Sequence, residues 1–319
     1  VQVAWVEGHE KRSPESTARL TVSVLGSPLT AVAMSRLASA VAAASGNIDR
    51  IERIASYPVT ALELNVSGAD GVVLKQQLSA LSAELGVDIA VQNGGLDRRG
   101  RHLVVMDVDS TVIQDEVVEL LAAKAGVADQ VQKITSAAMR GELDFAASLT
   151  ERVSLLAGLP ESVFAEVYSQ LRMTPGARTL CRVLKSMDYQ VALVSGGFSQ
   201  VVAPLAESLG VDFWAANLLE VAQGQLTGRI SGEVVDRAGK AQALRHFAQT
   251  TGISMNRTIA IGDGANDLDM LAAAGLGIAF NAKPVVQESA DASVNVPYLD
   301  TVLYLLGITR EEVEQLNLS

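Results

Sequence analysis

Three short apolar runs, each breaking off into a polar, glycine-rich end, constrain this chain more than any other feature. They are HLVVMDVD (102–109), YQVALVSGG (189–197) and RTIAIGDG (257–264). A strand with one wet face alternates apolar and polar residues. A nearly unbroken apolar run has both faces covered, which is the condition of a parallel strand in a sheet layered by helices. Helical patterns lie between the runs and supply the crossovers that parallel strands need. Between the first and second runs, however, lie roughly 80 residues, far more than one crossover helix uses. The excess, about 112–172, is helical in pattern and predicts an inserted cap. The region 101–319 therefore reads as one α/β domain with a cap.

The front of the chain is patterned differently. Residues 18–92 read as strand, helix, strand, strand, helix, strand, a ferredoxin-like α+β order. ARLTVSVLG alternates through Leu20, Val22 and Val24, and VTALELNVSG is a second half-buried strand. VLKQQLSALSAELG is an amphipathic helix with Gly86 placed to end it. NGGLDRRG (93–100) has the composition of a linker. Residues 1–17 read as a tether or the remnant of a preceding domain, and because the chain opens on Val1, further residues are expected upstream. Late in the chain, LLEVAQGQLTGRISGEVV predicts a hairpin turning near Gly224, and Thr309 with Glu312 forms a capping box.

Composition excludes several functions. With 319 residues, 49% hydrophobic and 19% charged, the chain is ordered and long enough for two domains. A net charge of -11 argues against general binding of nucleic acid or of anionic membrane surfaces. A small anionic substrate then requires a cation or a local basic cluster. The single Cys181 forms no internal disulfide, the three histidines lack metal-ligand spacing, and neither a signal peptide nor a long apolar run is visible. A cytoplasmic protein is expected.

In open α/β sheets ligands bind beyond the carboxyl ends of the strands, so the polar ends of the runs are where chemistry belongs. MDVDST (106–111) sets Asp107 and Asp109 beside the hydroxyls of Ser110 and Thr111. Such a group can bind a divalent cation and move protons, or simply cap a helix. VSGGF (194–198) offers Ser195 and, at Gly196 and Gly197, backbone N–H groups open to an anion. Read alone it is also an ordinary strand-to-helix turn. GDGANDLDM (262–270) carries Asp263, Asn266 and Asp267, the last standing where the dinucleotide fingerprint needs glycine. Lys240 alone is one more lysine. Brought together, these carboxylates repel and raise one another's pKa values unless a cation sits among them, and Mg²⁺ favours hard oxygen donors.

The ordered set DVDST, SGG, Lys240 and GDGAND resembles the haloacid dehalogenase superfamily of phosphatases, and within it the phosphoserine phosphatases, over about residues 101–307. The resemblance implies a Rossmann-like parallel sheet core with a helical cap insertion. It implies that Asp107 attacks phosphorus and is transiently phosphorylated, while Asp109 protonates the leaving oxygen and then activates water. Magnesium would be held by the side chains of Asp107 and Asp263 and the backbone carbonyl of Asp109. Ser195, Gly196 and Lys240 would hold the phosphoryl oxygens, with Asp267 supporting the metal shell or Lys240.

In the cap, LDFAASLTERVSLLAGL (143–159) brings Phe145, Leu149, Val153 and Leu156 to one helical face with Arg152 on or beside it. An arginine at such a rim either snorkels or binds an anion. The run R-V-S-L-L, shared with the family, implies that Arg152 binds a substrate carboxylate. Glu116 matches a glutamate that receives the substrate ammonium, Met139 and Phe145 match residues that shield the substrate, and Gly197 and Asn266 complete the substrate set. The substrate so implied is O-phospho-L-serine, hydrolysed to L-serine in the last step of serine biosynthesis.

The βαββαβ order of 18–92 resembles an ACT domain, a module that often binds amino acids at a dimer interface. This implies a homodimer and L-serine as an effector. Gly26 falls in the loop where such domains often contact ligand, or merely makes the turn. Two other functions fit the motifs: a phosphotransferase acting on another hydroxy amino acid, and an amino-acid sensor with a vestigial phosphatase half. Intact Asp107, Asp109, Lys240 and Asp263 argue against the sensor.

Overall fold

The computed structural model of the chain describes residues 19–94, 102–139 and 144–318, and side chains at all of these except 139, 145, 317 and 318. The tether at 1–17 and most of the linker at 93–100 lie outside the described residues. The chain divides into two units, Val1–Arg98 and Arg99–Ser319.

The first unit runs β1 (Leu20–Gly26), α1 (Ala31–Ala43), β2 (Asn47–Ala55), β3 (Thr60–Ser67), α2 (Gly71–Leu85), β4 (Asp88–Asn93). Its strands lie in the order β2-β3-β1-β4 and pair antiparallel, the βαββαβ arrangement expected from the pattern. The period of two puts Leu20, Val22, Val24, Leu64 and Val66 on one face. There they pack with Leu37 and Val41 of α1 and Leu74 and Leu78 of α2. Asp70 caps the start of α2, and Gly86 ends it at φ 63, where an L side chain would be strained. Gly26 is the buried last residue of β1; a Cβ there would stand 3.1 Å from Val87 Cγ1, so close packing accounts for the glycine.

The second unit begins with β5 (Leu103–Asp107) and five helices: α3 (Val117–Ala125), α4 (Ala128–Met139), α5 (Phe145–Ser154), α6 (Val163–Gln170) and α7 (Ala177–Ser186). Then follow β6 (Gln190–Phe198), α8 (Ser199–Leu209), β7 (Phe213–Ala222), β8 (Gln225–Ser231), α9 (Arg237–Thr251), β9 (Thr258–Gly262), α10 (Leu268–Ala273) and β10 (Leu276–Phe280). The unit closes with α11 (Pro284–Ser289), β11 (Ala292–Val294), α12 (Val302–Leu305) and α13 (Arg310–Leu318). The strand order is β11-β10-β9-β5-β6-β7-β8, parallel throughout except for the antiparallel edge β8. Leu103 and Val105 of β5 pack with Leu244 and Phe247 of α9 and Met270 and Leu271 of α10. Val104 and Met106, pointing the other way, are equally inaccessible. This two-sided burial is why the strand reads as an unbroken apolar run. From β5 the chain moves to β6 on one side and later to β9 on the other, which makes the carboxyl end of β5 a topological switch point.

Helices α3 to α6 form the inserted cap. Its two connecting segments are laced together: Gln114 N–H donates to Arg172 O (2.8 Å) and Thr174 N–H to Val112 O (2.9 Å). Buried Asp115 accepts from Arg172 Nε (2.9 Å), Nη2 (2.6 Å) and backbone N–H (2.7 Å). The far end of the cap docks on the β7–β8 hairpin, where Gly158 N–H donates to Leu226 O (2.8 Å). That hairpin turns at Gln223 and Gly224 as expected, but β7 starts earlier than the hairpin pattern indicated. Phe213 to Ala215 pair parallel to β6 before the strand leaves to join β8. One strand thus pairs parallel with one neighbour and antiparallel with the other, and no single alternation covers it. Among the described residues no helix is long and apolar enough to cross a membrane.

Candidate active site

The carboxyl ends of β5, β6 and β9 lie side by side, and the chain that follows each one supplies the polar groups. Beyond β5 it makes an irregular turn over Val108–Val112, with Asp109 extended and Ser110 at φ 59. A non-glycine residue in that region costs about 1–2 kcal/mol. The strained residue is tied down by its own hydroxyl, which donates to Glu116 Oε1 (2.7 Å). The turn separates the two acids of the motif. Asp107 Oδ1 accepts Val108 N–H (2.8 Å) and lies 2.7 Å from Lys240 Nζ. Asp109 instead accepts Val117 N–H, at the start of α3, on Oδ1 (2.7 Å) and the Ser195 hydroxyl on Oδ2 (2.9 Å).

Lys240 is fully buried, with its Nζ also 2.6 Å from Asp267 Oδ1. Burial opposes its charge, but Asp107 and Asp267 more than offset this and raise its pKa above the ordinary value. Asp267 uses its other oxygen to accept Gly264 N–H (2.9 Å), so it holds the lysine and its own loop at once. Gly262 makes room for this: a Cβ there would stand 2.4 Å from Asp267 Cγ. Thr111, inaccessible to solvent, donates to Asp263 Oδ1 (3.1 Å).

One carboxylate oxygen from each of Asp107, Asp263 and Asp267 lies within 4.8 Å of the others. Burial, then the neighbouring Asp267, lifts Asp107 well above the usual carboxylate range and pushes Asp263 up to about 6. Burial also raises Asp109, against the stabilising bonds from Val117 and Ser195. Three crowded carboxylates exceed what one lysine can neutralise, and their hard oxygen donors fit a divalent metal ion.

On the β6 side, Gly197 N–H donates to Ser195 Oγ (2.7 Å). A Cβ on Gly197 would stand 2.9 Å from both Asp109 Oδ2 and Ser195 Oγ. Gly197→Ala is therefore expected to part Ser195 from Asp109. Steady-state assays should show kcat falling about tenfold or more, because small displacements of reacting groups are costly, with thermal melting little changed.

The relatives of the chain name its family. A haloacid dehalogenase-like hydrolase model matches residues 104–272 and an ACT domain model matches residues 18–92. A phosphoserine phosphatase of Streptomyces coelicolor is 59% identical over 98% of this chain and 77% of its own length. The chain belongs to the haloacid dehalogenase-like hydrolases and, within them, to the family of these phosphoserine phosphatases. Two solved structures of phosphoserine phosphatases are similar to about two thirds of the chain. A substrate-bound phosphoserine phosphatase complex has a TM-score of 0.62 at 41% identity, over 65% of this chain and 98% of that one. A phospho-aspartyl intermediate analogue of phosphoserine phosphatase has a TM-score of 0.61 at 41% identity, over 64% and 98%.

In this chain Asp107, Asp109, Ser195, Lys240, Asp263 and Asp267 stand in one place. From the cap, Arg152 is half-buried and its Nε donates to Ser148 O (3.2 Å). Burial lowers its pKa, while Glu116, Asp109 and Glu119 act against that shift. Glu116, desolvated within the cleft and beside Asp109, is pushed up to about 7, although part of its surface stays open to water. Asn266 follows Asp263 and folds back over its own loop, where a Cβ on Gly264 would stand 2.1 Å from Asn266 Oδ1. The side chains of Met139 and Phe145 lie outside the described residues. Gly26 belongs to the first unit. The motifs give no sign of Asn217, a buried β7 residue bonded to Gly196 and Val235. Its partners are 21 and 18 residues away, so no local pattern marks it.

Proposed function

We propose that this chain hydrolyses O-phospho-L-serine to L-serine and phosphate through a phosphorylated Asp107. The observation that carries the reading is the reach of one carboxylate, Asp109, to both ends of the cleft. It bonds Ser195 on the phosphate side and, on the cap side, accepts the N–H of Val117, the residue next to Glu116. An anion for an ammonium and a cation for a carboxylate recognise an amino acid, while Lys240 and the Ser195–Gly197 turn recognise a phosphate.

In the first half-reaction an Asp107 carboxylate oxygen attacks phosphorus, and the bond from phosphorus to the serine oxygen breaks. Asp109, protonated, gives its proton to that oxygen as serine leaves. In the second, Asp109 takes a proton from water as the water oxygen attacks the phosphorus of the aspartyl-phosphate, freeing phosphate and Asp107. Lys240, Ser195 and the N–H of Gly196 hold the phosphoryl oxygens. The side chains of Asp107 and Asp263 and the carbonyl of Asp109 would hold Mg²⁺, which would supply positive charge against the transferring phosphoryl group. Asp267 keeps Lys240 in line.

Phosphate release from O-phospho-L-serine, dependent on added Mg²⁺ and abolished by EDTA, tests the assignment; no release under these conditions would overturn it. Arg152→Ala should raise KM for phosphoserine at least about tenfold while changing KM for p-nitrophenyl phosphate little, because only the first substrate carries a carboxylate. Equal losses on both would remove Arg152 from the specificity pocket. The ACT domain supports an amino-acid effector, for which L-serine, the product, is our candidate, and a homodimer is the arrangement we favour for it. The single buried thiol of Cys181 fits a reducing, cytoplasmic setting.

A further inference from the structure

β6 and β7 run in register as far as Val194 and Ala215, then rejoin at Phe198 and Asn217. β6 thus spends four residue steps where β7 spends two. The pairing of β6 with β5 also stops at Val194. Residues 195–197 therefore bulge away from both ladders, and their backbone groups need other partners. The Gly196–Gly197 peptide finds one on each side. Gly196 O accepts Asn217 Nδ2–H (2.9 Å), and Gly197 N–H donates to Ser195 Oγ (2.7 Å). In a trans peptide these two groups point in opposite directions, so fixing one aims the other.

Asn217 is itself fully buried and fixed. Its Oδ1 accepts Val235 N–H (2.7 Å), just ahead of α9, the helix that carries Lys240. A continuous series follows: Val235 N–H to Asn217, Asn217 to Gly196 O, Gly197 N–H to Ser195 Oγ, and the Ser195 hydroxyl to Asp109 Oδ2. Because Ser195 Oγ accepts from Gly197, its own proton is left to Asp109 and, with substrate in place, to a phosphoryl oxygen.

We infer that Asn217 is a positioning residue for the reaction, acting through the Gly196–Gly197 peptide to hold the Ser195 hydroxyl on Asp109. This rests on the phosphatase reading above. Asn217 touches none of the reacting groups. It replaces, with a side-chain amide, the ladder donor that the bulge removes.

The test is a double-mutant cycle with Ser195→Ala, read on p-nitrophenyl phosphate and phosphoserine with Mg²⁺. Asn217→Asp keeps the acceptor for Val235 but turns an acceptor toward Gly196 O. It should lower kcat on both substrates about tenfold, the worth of one well-placed hydrogen bond. The inhibition constant for orthophosphate should rise with it, while KM for phosphoserine changes less than kcat. In the Ser195→Ala background the same substitution should cost less than about twofold, since coupled groups are not additive. A merely structural asparagine would cost the same in both backgrounds, and that result, or an unchanged kcat in folded Asn217→Asp, overturns the inference. If Asn217→Asp does not fold by circular dichroism, Asn217→Ser is read through the same cycle. Wild type inactive on both substrates would defeat the phosphatase reading; an active wild type with an additive cycle would defeat only the role of Asn217.

Discussion

Asp107→Asn should leave a folded protein with no measurable turnover, a loss of at least about 10³-fold in kcat. Asparagine keeps the shape, and its amide oxygen can still accept Val108 N–H and face Lys240. What is lost is the anionic oxygen that attacks phosphorus. Stability should move the other way. In the folded protein burial and Asp267 raise the Asp107 carboxyl well above its usual 3.8, so the fold binds that proton more tightly than the unfolded chain does. Ionisation therefore works against folding: the favourable contribution is complete below the unfolded pKa and disappears as pH rises through the folded one. A neutral amide removes this penalty. Urea titrations without added metal should find Asp107→Asn equal to or more stable than wild type at neutral pH, with the gap closing toward pH 4. Residual Mg²⁺-dependent hydrolysis in freshly prepared Asp107→Asn would exclude Asp107 as nucleophile.

Much of this was legible because the chemistry sits at the ends of buried strands. Apolar runs of four residues, Leu103–Met106, Val191–Val194 and Ile259–Gly262, stopping at Asp107, Ser195 and Asp263 announce both the parallel sheet and the end of it where ligands are expected. The cap was legible as surplus length between two such runs, and α2 as a helix because Gly86 closes it at the expected end; its start at Gly71, capped by Asp70, lies two residues ahead of the pattern read from the sequence. Less local features were not legible. β7 changes partners midway, so neither a parallel-strand run nor a hairpin alternation describes it whole. Asn217 acts across a bulge that exists only once β6 and β7 are paired. Lys240 was one lysine among many until α9 placed it between Asp107 and Asp267. Asp267 stood open between two roles; it contacts Lys240 Nζ and Gly264 N–H and also stands within 4.8 Å of the Asp107 and Asp263 oxygens, so both roles stay open.

That lysine carries the second large effect. Lys240→Met preserves length and apolar packing but deletes the charge between two buried carboxylates. Asp107 is 3% exposed and Asp267 fully inaccessible, so water cannot take over the role. Removing one partner of a buried ion pair costs about 3–5 kcal/mol, mostly because the other is left charged and unpaired. Here two partners are stranded at once, and the urea midpoint of Lys240→Met should fall accordingly. Turnover should fall at least about 10³-fold, because the same ammonium neutralises the phosphoryl oxygens. These two losses can be separated. Adding Asp267→Asn removes one stranded charge and keeps an oxygen for Gly264 N–H, so the double variant should regain much of the stability. It should regain none of the turnover, since no cation has returned to the phosphate side of the cleft. Recovery of kcat along with stability would mean that Lys240 serves the fold alone, and the phosphate would then have to be held by Ser195, the glycine N–H groups and the metal without it.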